Sequence, residues 1–233
     1  MLARKYTILE LPSRGECYPS KVKTVKMRDM TVSDEDMFTT DVMNDPLAAV
    51  DLLIDRCLVG TDLMASEMCT TDREYVMLWL RRNGYGDEYE YIAGETGERK
   101  SLDLSKVKFI YCEVTGDEKG YFELRHGDDI VKFKLLTHIE DEILYVHVKE
   151  AVTGVEGDRY KPMYKAILMD CIVSVNGEGD DNYKERWLEG LDGEELKDIA
   201  VKMLHLSPRV DRKTTDGLEL SDNLLTGCVI KKD

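Results

Sequence analysis

The spacing of apolar residues changes several times along this chain, and that alternation limits its fold more than any other feature. Leu47, Val50, Leu53, Ile54, Cys57 and Leu58 recur at intervals of three and four, the period of one helical face. Asp45-Pro46 opens this helix with proline at its first position, and Gly60 closes it. A second helical stripe (Tyr75, Val76, Trp79, Leu80) follows a cap at Thr71 or Asp72 and stops at Asn83-Gly84-Tyr85-Gly86. Before them, Tyr6 to Met30 alternates as a β-hairpin or short meander with a turn over Pro12-Ser13-Arg14-Gly15, and Ser33 is the expected cap of a helix led by Asp34, Glu35 and Asp36. From Tyr89 to Leu136 the pattern shortens to strands: Glu88 to Ile92, Lys106 to Val114, Tyr121 to Arg125 and Ile130 to Leu135, the last two joined at His126-Gly127-Asp128-Asp129. Helical signals return over His138 to Val148, Tyr160 to Val175, Asn182 to Leu191 and Glu194 to His205, and Pro208 ends them.

This order predicts an α+β fold with an internal duplication. The hairpin ending Val25-Lys26-Met27 before Ser33 to Asp36 matches the hairpin ending Val131-Lys132-Phe133 before Ile139 to Glu142, at an offset near 106 residues. Leu52 to Val59 likewise matches Ala166 to Val173, at an offset of 114. The expected architecture is two pseudo-repeated lobes, each a β-hairpin plus about three helices, with a small strand-rich insertion between them. The corresponding bounds are 1–88, 89–120 and 121–208, with a polar tail over 209–233 that carries an apolar anchor near Leu218 to Leu225.

Charge narrows the partners. The 47 acidic residues outnumber the 32 basic ones for a net charge of −15, a field that repels nucleic acid and anionic lipid. Apolar runs stay well short of the ~18–20 residues of a membrane helix, and Arg4, Lys5 and Glu10 break any signal-peptide pattern. The six cysteines contain no CxxC pair, so a ribbon or finger zinc site is not expected, and Cys57 and Cys171 sit in apolar helical patterns as small hydrophobes.

Few residues ask for chemistry. His138, Asp141 and Glu142 occupy helical positions i, i+3 and i+4 with His147 beyond them, a conceivable metal cluster, although a solvent-facing acidic helix start is the favoured reading. Gly154-Val155-Glu156-Gly157 and Gly177-Glu178-Gly179 lack the lysine and the strand-to-helix context of a phosphate loop. No nucleophile elbow or HExxH pattern occurs, so neither an enzyme nor a cofactor is expected. Contact chemistry is better represented: Arg81 and Arg82 with Tyr85 and Tyr89 combine the residue types that anchor protein interfaces, with a packed helix-to-sheet corner as the alternative. The Leu11, Pro12, Ser13 and Tyr18 segment is a second candidate contact surface.

The order of several short motifs resembles a known family. Leu11-Pro12-Ser13-Arg14-Gly15 with Tyr18-Pro19, Val25 to Arg28 with Met30-Thr31 and Asp34-Glu35, Leu52 to Cys57, Asp72-Arg73, Leu80-Arg81-Arg82 with Tyr85-Gly86-Asp87-Glu88-Tyr89, and Cys171 to Gly177 are similar to the baseplate hub assembly family of T-even-type (T4-type) contractile-tailed bacteriophages. The resemblance runs from about Leu11 to Val210. Many relatives carry CxxC pairs after the Tyr-Gly-x-x-Tyr segment and near the C-terminus. Here that region reads Ile92-Ala93-Gly94-Glu95-Thr96-Gly97 and only Cys228 remains near the end, which departs from the metal-binding version. The resemblance implies a morphogenesis protein of the tail baseplate hub, as chaperone or retained component. It would work in the host-cell cytoplasm, through contacts with other baseplate, hub or tail proteins.

Overall fold

The computed structural model describes residues 6–41, 46–92, 98–157 and 159–211. The expected polar tail beyond Asp211, its apolar anchor, Cys228 and the Ala93 to Gly97 stretch lie outside the described residues. Among those described, the chain is α+β, with seven α-helices and several small antiparallel sheets. It divides into two compact units, one formed by residues up to 12, 24–110 and from 209 onward, the other by 13–23 and 111–208.

In the first unit, β1 (Tyr6–Glu10) pairs antiparallel with β2 (Thr24–Arg28), placing Leu9, Val25 and Met27 inside and Lys26 outside, the period of two in the sequence. The helices α1 (Val32–Asp41), α2 (Pro46–Cys57) and α3 (Thr70–Tyr85) follow. The α2 stripe buries Val50, Leu53, Ile54 and Cys57 as its spacing required. Immediately after α2, Leu58 bridges to Met27, and the Val59 N–H donates to the Lys26 carbonyl at 2.9 Å, which adds a third short chain segment to the hairpin.

The entry to α1 differs from expectation: Thr31, not Ser33, makes the cap. The Thr31 N–H and hydroxyl both donate to Asp34 Oδ2, at 2.9 and 2.7 Å. Asp34 lies fully buried between Arg28 (2.7 Å) and Arg56 (2.8 Å). The Arg28 guanidinium, helped by Thr31 and Arg56, holds this carboxyl far below the ordinary carboxylate range against the opposing pull of burial.

The α3 helix ends at Gly86, whose φ of 83° lies in the left-handed region that the expected glycine stop supplies. Its cap is Cys69, and Thr71 and Asp72 fall within the first turn. Beyond it, β3 (Glu88–Ile92) pairs with β4 (Arg99–Asp103), which replaces the strand expected over Lys106 to Val114. Exposed Arg99, Lys100 and Ser101 hide β4 from a hydrophobic-period reading, because cross-strand bonding rather than burial forms it. Asp103 caps a short 3-10 turn through Ser105, and only β5 (Phe109–Ile110) remains extended in the expected segment. Its partner is β9 (Arg209–Val210), a segment a hundred residues farther on that completes this pair.

The second unit is built on a sheet of order β6-β7-β8, with β6 (Phe122–His126) and β7 (Asp129–Phe133) forming the expected hairpin. Its helices are α4 (His138–Val152), α5 (Tyr160–Cys171), α6 (Asp181–Glu189) and α7 (Gly193–Leu206). Phe122, Val131 and Phe133 from the sheet meet Leu168 of α5, Leu188 of α6 and Leu196 and Ile199 of α7 in one core. The helix expected to run to Val175 stops at Cys171 and continues as β8 (Ile172–Val175), paired with β7. Ile172, Val173 and Val175 are β-branched, and the open edge of β7 outweighs the local helical period.

Thr137 and Glu140 cap α4 reciprocally, and Lys134 pairs with Glu140. Burial pulls the Glu140 carboxyl upward, but Lys134 and the Thr137 N–H outweigh it and leave the group below its ordinary value. Because Glu140 is about one-third exposed, unlike Asp34, Glu140→Ala is expected to cost only about 1 kcal/mol in urea denaturation.

Burial also pushes the Cys57 thiol up to about 11 and the Cys171 thiol up to about 12. Both are protonated at neutral pH, so native-state iodoacetamide labelling at pH 8 should be slower than in urea by roughly two orders of magnitude or more, read by mass spectrometry after a short pulse.

Candidate functional site

The first candidate contact segment is tied into the chain itself. Leu11, Pro12, Ser13 and Tyr18 are all buried. The loop over 13–23 winds through consecutive turns in which the Ser13 hydroxyl accepts from Gly15 N–H at 3.1 Å and the Tyr18 and Lys21 N–H groups donate to Gly15 and Tyr18 carbonyls. Within the second unit, Lys21 Nζ donates to the Gly116 carbonyl at 2.8 Å, and the Gly116 N–H donates to Glu16 Oε2 at 3.3 Å. Arg14 donates to the Cys112 carbonyl and lies 5.5 Å from the centre of the Tyr111 ring. These residues organise a loop that is long because it must reach and pack, and such polar turn clusters resemble exposed loops in sequence.

The second candidate group sits at the exit of α3. Arg81 is almost buried, donates to the carbonyls of Gly86 (3.1 Å) and Glu88 (3.2 Å), and stacks 5.1 Å from the centre of the Tyr85 ring. It therefore clamps the reversal from α3 into β3, the packed-corner reading. Arg82 pairs with Asp87 at 2.6 Å near the surface. Tyr85 is half-buried, and burial followed by the neighbouring Glu35 carboxylate raises its hydroxyl above the usual range. Half-buried Tyr89 stacks on Tyr91 with ring centres 5.9 Å apart. An apolar cavity of about 30 Å³, lined by Phe38, Leu53, Met77 and Leu80 with Arg81 and Tyr85 at its edge, lies beside this corner.

The histidine group does not assemble as a ligand set. His138 is buried while Glu142 is exposed, and among the described residues their ligand atoms and that of Asp141 do not converge. His147 instead pairs with Asp170 of α5 at 2.7 Å. A broad groove of about 490 Å³ borders Tyr121, Ser174 and Gly177, and Lys132 in its lining bridges Asp117 (3.0 Å) and Glu123 (3.4 Å). Sequence reasoning passed over a different feature, the outer face of α4, where Ile139, Ile143 and Val146 are exposed at i, i+4 and i+7. That spacing was legible, but Leu144 and Val148 on the opposite side gave the helix a sufficient reason to be apolar.

Among the described residues, the first candidate segment and Arg81 are packed, Arg82, Tyr85 and Tyr89 keep exposed area, and the histidine group does not converge. Residues 4–215 match the sequence model of a family described as T4 bacteriophage base plate protein. The chain belongs to that family. No curated protein and no solved structure matches it.

The match to the T4 base plate family spans residues from both units and includes both candidate contact groups. Family membership carries a role in the phage base plate and, with it, contacts to other base plate proteins. Among the described residues of this base plate family member, no helix is long and apolar enough to cross a membrane.

Proposed function

We propose that this base plate family protein is a hub assembly protein of the tail, a morphogenesis chaperone that acts through protein–protein contacts. The observation that carries the reading is the family match over residues 4–215, joined to the ordered motifs from Leu11 to Gly177 that resemble hub assembly proteins. An acidic chain of net charge −15 suits such a task, since it can shield basic or adhesive surfaces of a partner before docking. No reaction is assigned, and the His138, Asp141 and Glu142 geometry gives no support to a metal-dependent one. Of the candidate contact residues, Arg82, Tyr85 and Tyr89 retain exposed area and remain the proposed partner contacts. Tyr89→Ala should weaken capture of hub proteins while leaving the midpoint of urea unfolding unchanged; a lowered midpoint with intact capture would assign Tyr89 to packing.

A permanent structural subunit of the base plate is the second reading, favoured by the family description itself, which names a base plate protein. Quantitative mass spectrometry of purified particles beside a pull-down from infected-cell lysate separates the two. Absence from particles with hub proteins captured in lysate is the expected chaperone result, whereas a fixed copy number in particles would establish the structural subunit.

The internal duplication is part of this reading and gains support from one junction. Arg28, Thr31 and Asp34 stand 106 residues before Lys134, Thr137 and Glu140, and each set ties a hairpin to the first turn of the next helix by a cation, a threonine and a carboxylate. In each case the chain leaving the second helix also returns to the second strand of its hairpin, at Leu58 on Met27 and at β8 on β7. An experimental structure in which the two hairpin-plus-helix segments failed to superpose would end the duplication reading.

A further inference from the structure

The helix α4 has two apolar faces, and among the described residues its own unit packs only one of them. Leu144, Val148 and Ala151 are partly buried, and α5 is the principal neighbour of α4. At ~100° per residue, Ile139, Ile143 and Val146 fall on the opposite side of the helix. There they are 52%, 49% and 50% exposed, and Tyr145, on the flank between the two faces, is 68% exposed. An outer helix ordinarily turns a polar face to water, and a helix apolar on both sides is the pattern of one enclosed by two layers.

The face is also presented rigidly. Thr137 and Glu140 close the first turn as a capping box, Lys134 pairs with Glu140, and His147 bonds to Asp170 on α5, so the stripe does not depend on a mobile loop. The stripe spans about two helical turns, the length that an i, i+4, i+7 anchor set requires of a helix-in-groove contact. Its borders are acidic: Glu142 and Glu150 are exposed along it, with Lys149 the single basic neighbour. The whole chain carries −15, a field that disfavours pairing with a second copy.

We infer that the Ile139, Ile143 and Val146 face of α4 docks an amphipathic helix of another base plate protein, one whose apolar stripe is flanked by Lys or Arg. This rests on the protein-contact reading above and names the surface and the chemistry of the partner. Charge complementarity favours a basic partner over a second acidic copy, while the three aliphatic side chains supply the area that water must leave.

The test uses the full chain with a photoreactive benzoylphenylalanine at position 145, on the exposed flank one residue before Val146, and the same probe at position 89 as a second arm, both illuminated in infected cells. The expected result is a cross-link from position 145 to a base plate protein segment with apolar residues at i, i+3 or i+4 and i+7 and flanking Lys or Arg. A synthetic peptide of that segment should then bind the purified chain, with affinity at least tenfold weaker for Ile143→Ser and weaker again in 0.5 M salt, at an unchanged unfolding midpoint. Cross-links from position 145 to a second copy, to an acidic or non-helical segment, or to nothing would overturn the site. If position 89 captures base plate proteins in that case, the function stands without the α4 surface. A basic amphipathic segment from a host protein captured at position 145 would instead keep the surface and overturn its base plate partner.

Discussion

Asp34→Ala is expected to lower the stability of the first unit by roughly 3–5 kcal/mol, the range found when one partner of a buried ion pair is removed. The carboxyl is fully buried and accepts from Arg28, Arg56 and Thr31, so its loss leaves two guanidinium groups crowded around an empty position and removes the carboxylate half of the α1 cap. Arg28→Ala should cost less, because Arg56 still faces the carboxylate, and Asp34→Asn should fall between them, because the amide oxygen still caps Thr31. The carboxyl is held below its ordinary value in the folded chain, so its contribution is fully present above the unfolded pKa of ~3.9 and is lost as pH falls below it. Urea denaturation of the wild-type chain at pH 7 and pH 3 should therefore show a large difference that Asp34→Asn reduces. Equal pH dependence in the two proteins would show that other carboxylates govern acid sensitivity.

Gly120→Val should release the loop over 13–23 and destabilise the second unit by roughly 3 kcal/mol, combining an overpacked contact with a strained backbone. Gly120 has a φ of 81°, and a Cβ there would stand 2.2 Å from the Cys17 carbonyl oxygen, a backbone atom that cannot turn aside. Gly127 provides the control, with φ of 59° but no atom within 4 Å of a Cβ, so Gly127→Ala should cost only about 1 kcal/mol of backbone strain. Trypsin reads the loop directly through Arg14, Lys21 and Lys23: cleavage there under native conditions should accelerate in Gly120→Val and not in Gly127→Ala. Unchanged cleavage would mean that the loop is held independently of its approach to Gly120.

The difference between local and distant causes explains which elements were legible. The α2 and α3 helices, the β6 to β7 hairpin and α7 are specified by periodicity and end signals within their own segments, such as the Asp192 and Glu195 capping box of α7. In contrast, β4 and β8 owe their conformation to strands elsewhere, β3 and β7, and β5 to β9 nearly a hundred residues away. The candidate contacts divide in the same way. Residue type alone singled out Arg81, Tyr85 and Tyr89, but whether a guanidinium meets a partner or two of its own carbonyls depends on the turn after α3. Leu11, Pro12, Ser13 and Tyr18 read as surface because the 116–120 segment that receives their loop lies a hundred residues farther on.

By itself, then, the amino-acid sequence determined the α+β class, the acidic surface, the family-bearing motif order and most helices, all of which follow from side chains within a few turns of one another. Only the tertiary structure decided that Asp34 is caged by two arginines, that the loop over 13–23 packs with the second unit, and that Ile139, Ile143 and Val146 of α4 stand exposed. Those outcomes depend on which distant backbone edges and side chains meet, and the free energy of such a meeting belongs to the pair rather than to either segment.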